Sequence, residues 1–322
     1  MNGARFEALG VNLFRRNPAN PILTTADLPY PADAIFNPAA VKLDGETLLL
    51  ARVEDMRGIS HLAVCKSRDG VSGWRAGAGP AMEPDPEQFP EELWGIEDPR
   101  VTWLQESGDF AVVYTTYSRR GPQVSLATTR DFVAFTRCGS IIPPEDMDAA
   151  LFPRRFGGRL AMLHRPVPCG PDSNIWISFS EDLRHWGDHS LLLECRQGAW
   201  WDARRVGVCP PPLETPEGWL LLYHGVRKTP SGGRLFRLGL ALLDLEDPRR
   251  VLRRSDEWIF GPQAPYEREG NARDVIFPCG WIHDEASGLV RMYYGAADTS
   301  VCMAEASMAD LLAYVRTCPR PA

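Results

Sequence analysis

Short apolar runs separated by polar turns recur along the whole chain. Five of these runs each lead into a turn with an aspartate, and the aspartates follow one another at intervals of 62, 51, 65 and 63 residues: Asp69, Asp131, Asp182, Asp247 and Asp310. A second β-type run precedes each of them, and a shorter run that opens near a proline comes before that. Gly, Asp, Asn and Ser lie between the runs, as turns require. The pattern predicts short strands throughout and no amphipathic helix in the middle of the chain.

The period of the repeat predicts an all-β fold, a five-bladed β-propeller. Five units of roughly 60 residues, each with three or four short strands, are typical of this architecture. We expect a single propeller domain over residues 1–322, in which residues 12–16 supply a strand that closes the last blade. The tail after Tyr314 is expected to fray.

Polar residues at equivalent strand ends should converge, because equivalent strands of successive blades surround one channel. The first strand of each blade is predicted to start at a proline-containing pair: Asn37-Pro38, Asp98-Pro99, Phe152-Pro153, Pro210-Pro211 and Phe277-Pro278. The next strand ends in polar or charged residues: Arg52 with Glu54, Tyr117 with Arg119, His164-Arg165, His224, and Asp298. Such residues are costly there unless they are paired or solvated. These ends therefore predict a functional site in the channel.

The charges at these positions divide by sign. One group suits sugar hydroxyls and proton transfer: Asn37, Asp98 and Asp298. The other suits an oxyanion: Arg165, Arg205 and His224. A sugar hydrolase needs two carboxylates that flank the bond, whereas cleavage by phosphate needs one acid and a cationic cradle. The sequence favours the second arrangement.

Two other functions remain open. A hydrolase on the same scaffold would take its base from one of three glutamates: Glu54, Glu97 or Glu214. A sugar-binding propeller without catalysis would have a disabled acid position, whereas Asp98 is present.

Composition and charge exclude further classes. The net charge of −7 and the lack of a long Lys/Arg run argue against nucleic acid as a partner. The residues that ligate zinc are not clustered, so no metal site is expected. No apolar run is long enough to span a membrane, and the N-terminus lacks the pattern of a signal peptide. The eight cysteines form no CxxC pair, which predicts reduced, structural thiols in a cytoplasmic protein.

A series of stretches between Asn20 and Thr299 resembles glycoside hydrolase family 130, the β-mannoside phosphorylases and their hydrolytic relatives. They include IFNPAAV, LLLARVED, GIEDPRV, MLHRP, WWDARRVGVCPPPLET, VIFPCG and YYGAADT. The family fold is a five-bladed propeller, which agrees with the repeat. One position departs from the pattern: many phosphorylases of the family have Tyr just before the LLD strand, and this chain has Phe236.

The resemblance implies a role for seven residues. Asp98 matches the catalytic acid, which in the phosphorylases protonates the leaving oxygen through the 3-hydroxyl of the substrate. Three residues match those that hold the mannosyl unit in the −1 subsite: Asn37, Arg52 and Asp298. Three more match those that bind phosphate: Arg165, Arg205 and His224. The implied reaction is an inverting phosphorolysis of a β-mannoside that uses inorganic phosphate as co-substrate, without metal or cofactor, and gives α-mannose 1-phosphate. Linkage, acceptor sugar and oligomeric state stay open, including a homo-oligomer.

Several neighbours of the expected site have two interpretations. Glu97 is expected to point away from Asp98, because successive strand residues face opposite sides, and to support the strand or meet Arg100. The pair Trp200-Trp201 either stacks on a sugar or packs within a blade. The pair Arg154-Arg155 either joins the phosphate site or lies on the surface.

Overall fold

Strands dominate the computed structural model, which describes residues 11–167 and 172–321. In that part of the chain the strands are β1 (Arg15–Arg16), β2 (Ala34–Leu43), β3 (Glu46–Glu54), β4 (Ser60–Ser67), β5 (Arg75–Ala76), β6 (Ile96–Leu104), β7 (Asp109–Ser118), β8 (Gly121–Thr129), β9 (Thr136–Ser140), β10 (Asp146–Leu151), β11 (Leu160–Pro166), β12 (Ile175–Ser180), β13 (Gly187–Leu193), β14 (Arg205–Val208), β15 (Leu213–Thr215), β16 (Gly218–Lys228), β17 (Arg234–Leu243), β18 (Val251–Arg254), β19 (Ile276–Asp284), β20 (Leu289–Ala296) and β21 (Ser300–Ser307). The helices are α1 (Pro265–Arg268) and α2 (Met308–Thr317), with short 3-10 turns at Thr25–Asp27 and Pro90–Glu92. None of the helices in these residues is long and apolar enough to cross a membrane.

The strands form five antiparallel sheets that follow one another along the chain, which confirms the predicted five-bladed propeller. The sheets contain β2 to β5, β6 to β9, β10 to β13, β14 to β18, and β19 to β21 together with β1. In the fifth sheet Arg15 lies opposite Glu305, and Arg16 lies opposite Ala304. The guanidinium of Arg16 also binds the buried carboxylate of Glu267, with its Nε 2.8 Å from Oε1. A strand from the beginning of the chain thus pairs with the last strand.

Aromatic side chains fill the spaces between neighbouring sheets. Phe152 of the third sheet packs edge to face against Trp219 of the fourth, with ring centroids 5.1 Å apart. Between the fifth and first sheets, Tyr293 packs against Trp74 at 5.9 Å and donates a hydrogen bond to the carbonyl of Gly70 at 2.7 Å. Because large aromatic surfaces are buried at these two junctions, the neighbouring blades are held in fixed positions relative to each other.

Aspartates close the turns of the first three blades, as the repeat predicts. Their carboxylates each accept two backbone N–H groups within the turn: Asp69, Asp131 and Asp182. In the fourth blade Asp244 makes the corresponding pair of contacts, with the N–H groups of Glu246 and Asp247. The prediction was therefore three residues late in that blade, because the sequence has an acid at both places.

The end of the chain differs from the prediction. Asp310 does not close a turn but lies in the first turn of α2, whose N-cap is Ser307. The helix continues to Thr317, so the expected fraying after Tyr314 is wrong. Its apolar residues recur with the helical spacing that buries one face: Met308, Leu311, Leu312 and Val315. They pack into the core shared by the fourth and fifth blades.

Candidate active site

The first strand of three blades contains a β-bulge with a polar residue in the left-handed region. The φ angles are 46° at Asn37, 49° at Asp98 and 53° at Asp148. The strand register shifts at each of them, between Phe36 and Ala39, Glu97 and Arg100, and Met147 and Ala150. Asn and Asp adopt this conformation more readily than other residues that carry a Cβ atom. The three side chains therefore leave their sheets at equivalent places.

The predicted equivalents in the third and fourth blades are wrong. Phe152-Pro153 follows β10, whereas the bulge of that blade lies at Asp148. Pro210-Pro211 likewise follows β14. Proline was the misleading marker, because the third blade has Ala149 after its bulge residue. The signal that all three bulges share is an Asn or Asp in the first strand of the blade, as in FNPAAV, EDPRVT and MDAALF.

Asp98 lies next to two of the predicted sugar-binding residues. Its Oδ1 accepts hydrogen bonds from Nδ2 of Asn37 at 2.8 Å and from Nη1 of Arg52 at 3.3 Å. Arg52 is held in turn by Ser60, to whose Oγ it donates from Nε at 2.9 Å. Asp98 is 7% exposed. The structure thus brings the predicted acid, amide and guanidinium together in one buried group.

Glu97 turns toward the same guanidinium and not away from it. Its Oε1 accepts a hydrogen bond from Nη2 of Arg52 at 2.9 Å. The predicted contact with Arg100 is wrong, because the hydrogen bonds of that arginine go to backbone carbonyls. The bulge explains the difference, since alternation of side chains between the two faces fails where a left-handed residue interrupts the strand.

Carboxylates outnumber cations around Arg52. Glu54 also approaches it, with Oε2 3.4 Å from Nη2. Burial raises the pKa of Glu97 to about 7, which the attraction of Arg52 opposes and the charge of Asp98 reinforces. Burial and the charge of Asp98 raise the pKa of Asp298 to about 6. We name these residues the acid cluster: Arg52, Glu54, Glu97, Asp98 and Asp298. Two of its carboxyl groups titrate close to neutral pH.

Arg165 and His224 meet at a residue that the sequence analysis missed, Asp148. Nε of Arg165 donates to Oδ2 of Asp148 at 2.7 Å, and Nε2 of His224 lies 3.8 Å from the same oxygen. Nη1 of Arg165 is buried and has no hydrogen-bond partner among the described residues. A buried donor without an acceptor is costly, so this guanidinium favours an added anion or water.

Of the side chains near Asp148, the imidazole of His224 is neutral and the guanidinium of Arg205 is cationic. Burial lowers the pKa of His224 to about 3, which makes the imidazole neutral at physiological pH. Desolvation and the charge of Arg165 lower the pKa of Arg205, at the start of β14. The ring of His224 stacks on Phe236, with centroids 4.9 Å apart. We name Arg165, Arg205 and His224 the anion site. Because like charges repel, an anion between Arg165 and Arg205 would relieve their repulsion.

Arg100 connects the acid cluster with the anion site. It is 1% exposed, and its Nη1 donates to the carbonyl oxygen of Asp98 at 2.8 Å. Its Nη2 and Nε donate to the carbonyls of Val208 and Cys209 in the fourth blade, at 3.0 and 3.1 Å. Nη2 is also 3.6 Å from Oδ1 of Asp148. The backbone of the predicted acid is thus tied to the blades that form the anion site.

Arg154 and Arg155 lie away from this site. Nε of Arg155 donates to Oε2 of Glu106 at 2.6 Å. Glu106 is in the turn between β6 and β7, at the opposite end of β6 from Asp98. Nε of Arg154 pairs with Oε1 of Glu214 at 3.2 Å. Of the two interpretations, the structure supports surface arginines, and it separates Glu214 from the acid cluster.

The two tryptophans before Arg205 have different environments. Trp201 is 7% exposed, donates from Nε1 to the carbonyl of Asp256 at 2.8 Å and stacks on Tyr223. It is a packing residue of its blade. Trp200 is exposed, and the guanidinium of Arg196 lies 3.9 Å from its ring centroid.

Comparison with known proteins gives consistent matches over nearly the whole chain. The model of glycoside hydrolase family 130, described as β-1,4-mannooligosaccharide phosphorylase, matches residues 16–317. A 1,2-β-oligomannan phosphorylase of Thermoanaerobacter sp. is 34% identical over 301 residues, 90% of this chain and 95% of that protein. A β-1,4-mannooligosaccharide phosphorylase of Ruminococcus albus is 33% identical over 310 residues, 94% of this chain and 90% of that protein. The structure of β-1,2-mannobiose phosphorylase from Listeria innocua with β-1,2-mannobiose has a TM-score of 0.84 at 30% identity, covering 94% of this chain and 99% of that one. The chain with these two groups of residues therefore belongs to glycoside hydrolase family 130.

Proposed function

We propose that this enzyme is an inverting β-mannoside phosphorylase, which cleaves a β-mannosidic bond with inorganic phosphate and releases α-mannose 1-phosphate. One observation carries the proposal: the buried, unpartnered Nη1 of Arg165 beside Arg205 and a neutral His224. A hydrolase needs no such site, because water carries no charge. The relatives named above act on β-1,2 or β-1,4 mannosides, and the proposal covers both linkages.

In the proposed reaction a phosphate oxygen attacks the anomeric carbon from the face opposite the departing sugar. The bond between that carbon and the glycosidic oxygen breaks as the new carbon–oxygen bond forms, so the configuration inverts. Asp98 supplies the proton that the leaving oxygen takes up, relayed through the 3-hydroxyl of the substrate. Asp98 ends the reaction ionised, and its contact with Arg52 stabilises that charge.

The mannosyl unit would be held by Asn37, Arg52 and Asp298. Oδ1 of Asn37 is buried and has no partner among the described residues, so it can accept a hydrogen bond from a sugar hydroxyl. Its Nδ2 already binds Asp98, which places an accepted hydroxyl beside the acid. The carboxyl of Asp298 has a raised pKa, so at neutral pH it is in part protonated and can donate as well as accept.

Phosphate would be held by Arg165, Arg205 and His224. The two guanidinium groups offset its charge, and the neutral imidazole donates one hydrogen bond without adding charge. No metal or cofactor enters the proposed reaction. The third blade supplies Arg165 and the fourth supplies the other two residues, so phosphate would bridge two blades.

The proposed partners are a small β-mannoside and phosphate, without nucleic acid or membrane. We place the enzyme in the cytoplasm, where a sugar phosphate is directly useful. Seven cysteines are free among the described residues, as in a reducing compartment.

A β-mannoside hydrolase is the second candidate, and Glu97 is the observation that favours it. A carboxyl group with a pKa of about 7 beside an acid suits a general base. Geometry argues against it, however, because the base of an inverting hydrolase stands on the opposite side of the sugar from the acid. Glu97 and Asp98 bind the same guanidinium.

The test is product analysis with β-1,2-mannobiose, β-1,4-mannobiose and mannosyl-glucose, each with and without inorganic phosphate. We expect α-mannose 1-phosphate only when phosphate is present, detected by ³¹P NMR. Loss of a positioned general acid lowers rates by about 10²- to 10⁴-fold, so Asp98→Asn should be nearly inactive. Asp131→Asn, in a surface turn, is the matched control. Mannose released at the same rate without phosphate would select the hydrolase.

A further inference from the structure

We propose that Asp148 is a positioning residue of the anion site, which holds the Arg165 guanidinium and the His224 imidazole in the orientation that receives phosphate. The inference rests on the proposed function, because it concerns how the co-substrate would be bound. Asp148 itself would not touch the anion. Its role would be exerted through the two side chains that do.

The backbone places Asp148 in β10, the first strand of its blade. The residue has φ of 53° and lies in the bulge between Met147 and Ala150. It is the third-blade equivalent of Asp98. A β-bulge therefore positions the proposed acid in the second blade, and an equivalent bulge positions a second carboxylate in the third. Because few residues with a Cβ atom adopt this conformation, the position favours Asp or Asn.

The carboxylate of Asp148 binds only one edge of the Arg165 guanidinium. Oδ2 of Asp148 accepts from Nε at 2.7 Å, and both side chains are 3% exposed. The contact fixes the plane of the guanidinium but leaves Nη1, at its far end, without a partner among the described residues. An arginine restrained in this way presents its free donor in a defined direction, whereas an unrestrained arginine would lose rotamer entropy on binding.

The imidazole of His224 is confined from three sides. Nε2 lies 3.8 Å from Oδ2 of Asp148, and the ring stacks on Phe236 at 4.9 Å. Gly207 lies against the third side. A Cβ atom at that position would be 2.5 Å from Oδ2 of Asp148 and would overlap the imidazole. The absence of a side chain at Gly207 therefore allows Asp148 and His224 to approach each other.

Charge balance keeps Asp148 from repelling phosphate. Burial alone would raise its pKa, but Arg165, His224 and Arg100 together hold it at about 2. The group is therefore ionised throughout the neutral range. Oδ2 faces Arg165, and Oδ1 faces Nη2 of Arg100 at 3.6 Å. Since Arg100 offsets the negative charge of Asp148, the anion site keeps the positive charge of Arg165 and Arg205.

A purely structural role for Asp148 makes a different prediction. In that case a change of Asp148 would lower the free energy of unfolding without selective loss of phosphate binding. A positioning role predicts a rise in the KM for phosphate with little change in the KM for the mannoside. The reverse reaction separates the two in the same way, through the KM values for α-mannose 1-phosphate and for the acceptor sugar.

The experiment compares Asp148→Asn with the wild-type enzyme. Asn keeps the shape and tolerates the left-handed backbone, but it removes the negative charge that binds Arg165. We expect the KM for phosphate to rise about tenfold or more, the range that loss of one charge-assisted hydrogen bond gives. The KM for the mannoside should change by less than about threefold. Glu267→Gln is the matched control, because it removes a buried carboxylate that pairs with Arg16 in the fifth blade.

A second variant tests the same inference without changing a charge. Gly207→Ala would push the Asp148 carboxylate and the His224 ring apart, so it should also raise the KM for phosphate. It serves as the measurement if Asp148→Asn does not fold. If the wild-type enzyme depends on phosphate and neither folded variant raises this KM, the inference is wrong and the proposed function stands. If the wild-type enzyme shows no phosphate dependence, the proposed function fails, and the inference fails with it.

Discussion

The carboxyl group of Glu97 should make the folded protein less stable as the pH rises. It lies in the acid cluster, where burial raises its pKa from 4.5 to about 7. The attraction of Arg52, 2.9 Å away, opposes this rise but does not cancel it. The unfolded chain therefore releases the proton at a lower pH than the folded chain does. The stability linked to this group is present below pH 4.5 and is lost as the pH rises toward 7.

Replacement of Glu97 by glutamine removes the titration and keeps the shape of the protonated acid. A shift of about 2.5 pKa units corresponds to about 3 kcal/mol when the group is fully ionised. At pH 8 we therefore expect Glu97→Gln to raise the free energy of unfolding by about 3 kcal/mol, and at pH 5 by about 1 kcal/mol or less. The gain should thus grow by about 2 kcal/mol between the two pH values.

Urea unfolding of both proteins at pH 5, 6, 7 and 8 measures this difference. Groups far from Glu97 titrate alike in the two proteins and cancel in the comparison, whereas Asp98, Glu54 and Asp298 interact with its charge and contribute to the measured difference. Glu285→Gln, at an exposed turn, is the control for the removal of a carboxylate outside the acid cluster. A Glu97→Gln gain that is independent of pH would show that the carboxyl keeps an ordinary pKa. A loss of stability that grows toward pH 8 would show that attraction by Arg52 outweighs burial.

Three further changes test the site and the packing. Arg165→Lys should raise the KM for phosphate about tenfold, because one ammonium cannot bind Asp148 and present a second, planar donor; an unchanged KM would contradict the assigned site. Gly280→Ala should lower the free energy of unfolding by about 1–3 kcal/mol in urea titrations, since its Cβ would meet the backbone of Ala39 and Ala40 in the next blade. Gly187→Ala should have little effect, because, apart from its chain neighbours, no described residue lies within 4 Å of the added Cβ. Arg16→Met should lower the free energy of unfolding by about 3–5 kcal/mol, because it leaves Glu267 buried without its cationic partner. Arg15→Met, whose wild-type side chain is 87% exposed, should lower it by about 0.5 kcal/mol or less. Equal effects would mean that the buried pair is not what holds β1 on the propeller.

The fold could be predicted because each blade repeats a local pattern. Apolar runs that end in a turn with an aspartate specify a hairpin without reference to the rest of the chain, and the carboxylates of Asp69, Asp131 and Asp182 make the backbone contacts that this pattern requires. The pattern failed at Asp310, where the same residue type opens α2. An acid suits both a turn and the first turn of a helix, so residue type alone does not distinguish them.

The site could be predicted where its residues carry their own signal. Asp98, Arg52 and Asn37 lie together as their positions at strand ends suggest. Asp148 was missed because Ala149 replaces the proline that marks the other bulges. The orientation of Glu97 was predicted wrongly because strand alternation was assumed across a bulge. Neither error could be corrected from spacing, since a bulge shifts the register of every residue before it.

Environment, and not residue type, distinguishes the acid cluster from the anion site. Asp98 and Asp148 occupy equivalent bulges with nearly the same φ, yet their neighbours differ in charge. Around Arg52, carboxylates exceed cations, and the pKa values of Glu97 and Asp298 rise to about 7 and about 6. Around Asp148, cations exceed carboxylates, and its pKa falls to about 2. Acids whose surroundings move their pKa values apart suit the division that we propose, with proton transfer in the acid cluster and anion binding beside Asp148.

Arg100 is the group that contacts both bulge residues, Asp98 and Asp148. Its guanidinium binds the carbonyl of Asp98 and lies beside the carboxylate of Asp148, so a single buried charge is near both bulges. A neutral residue here would leave the negative charge of Asp148 to be balanced by the anion site itself, which would weaken the proposed attraction of that site for phosphate. It would also release the backbone of Asp98 from the fourth blade. The position of the proposed acid and the charge of the anion site therefore depend on the same side chain.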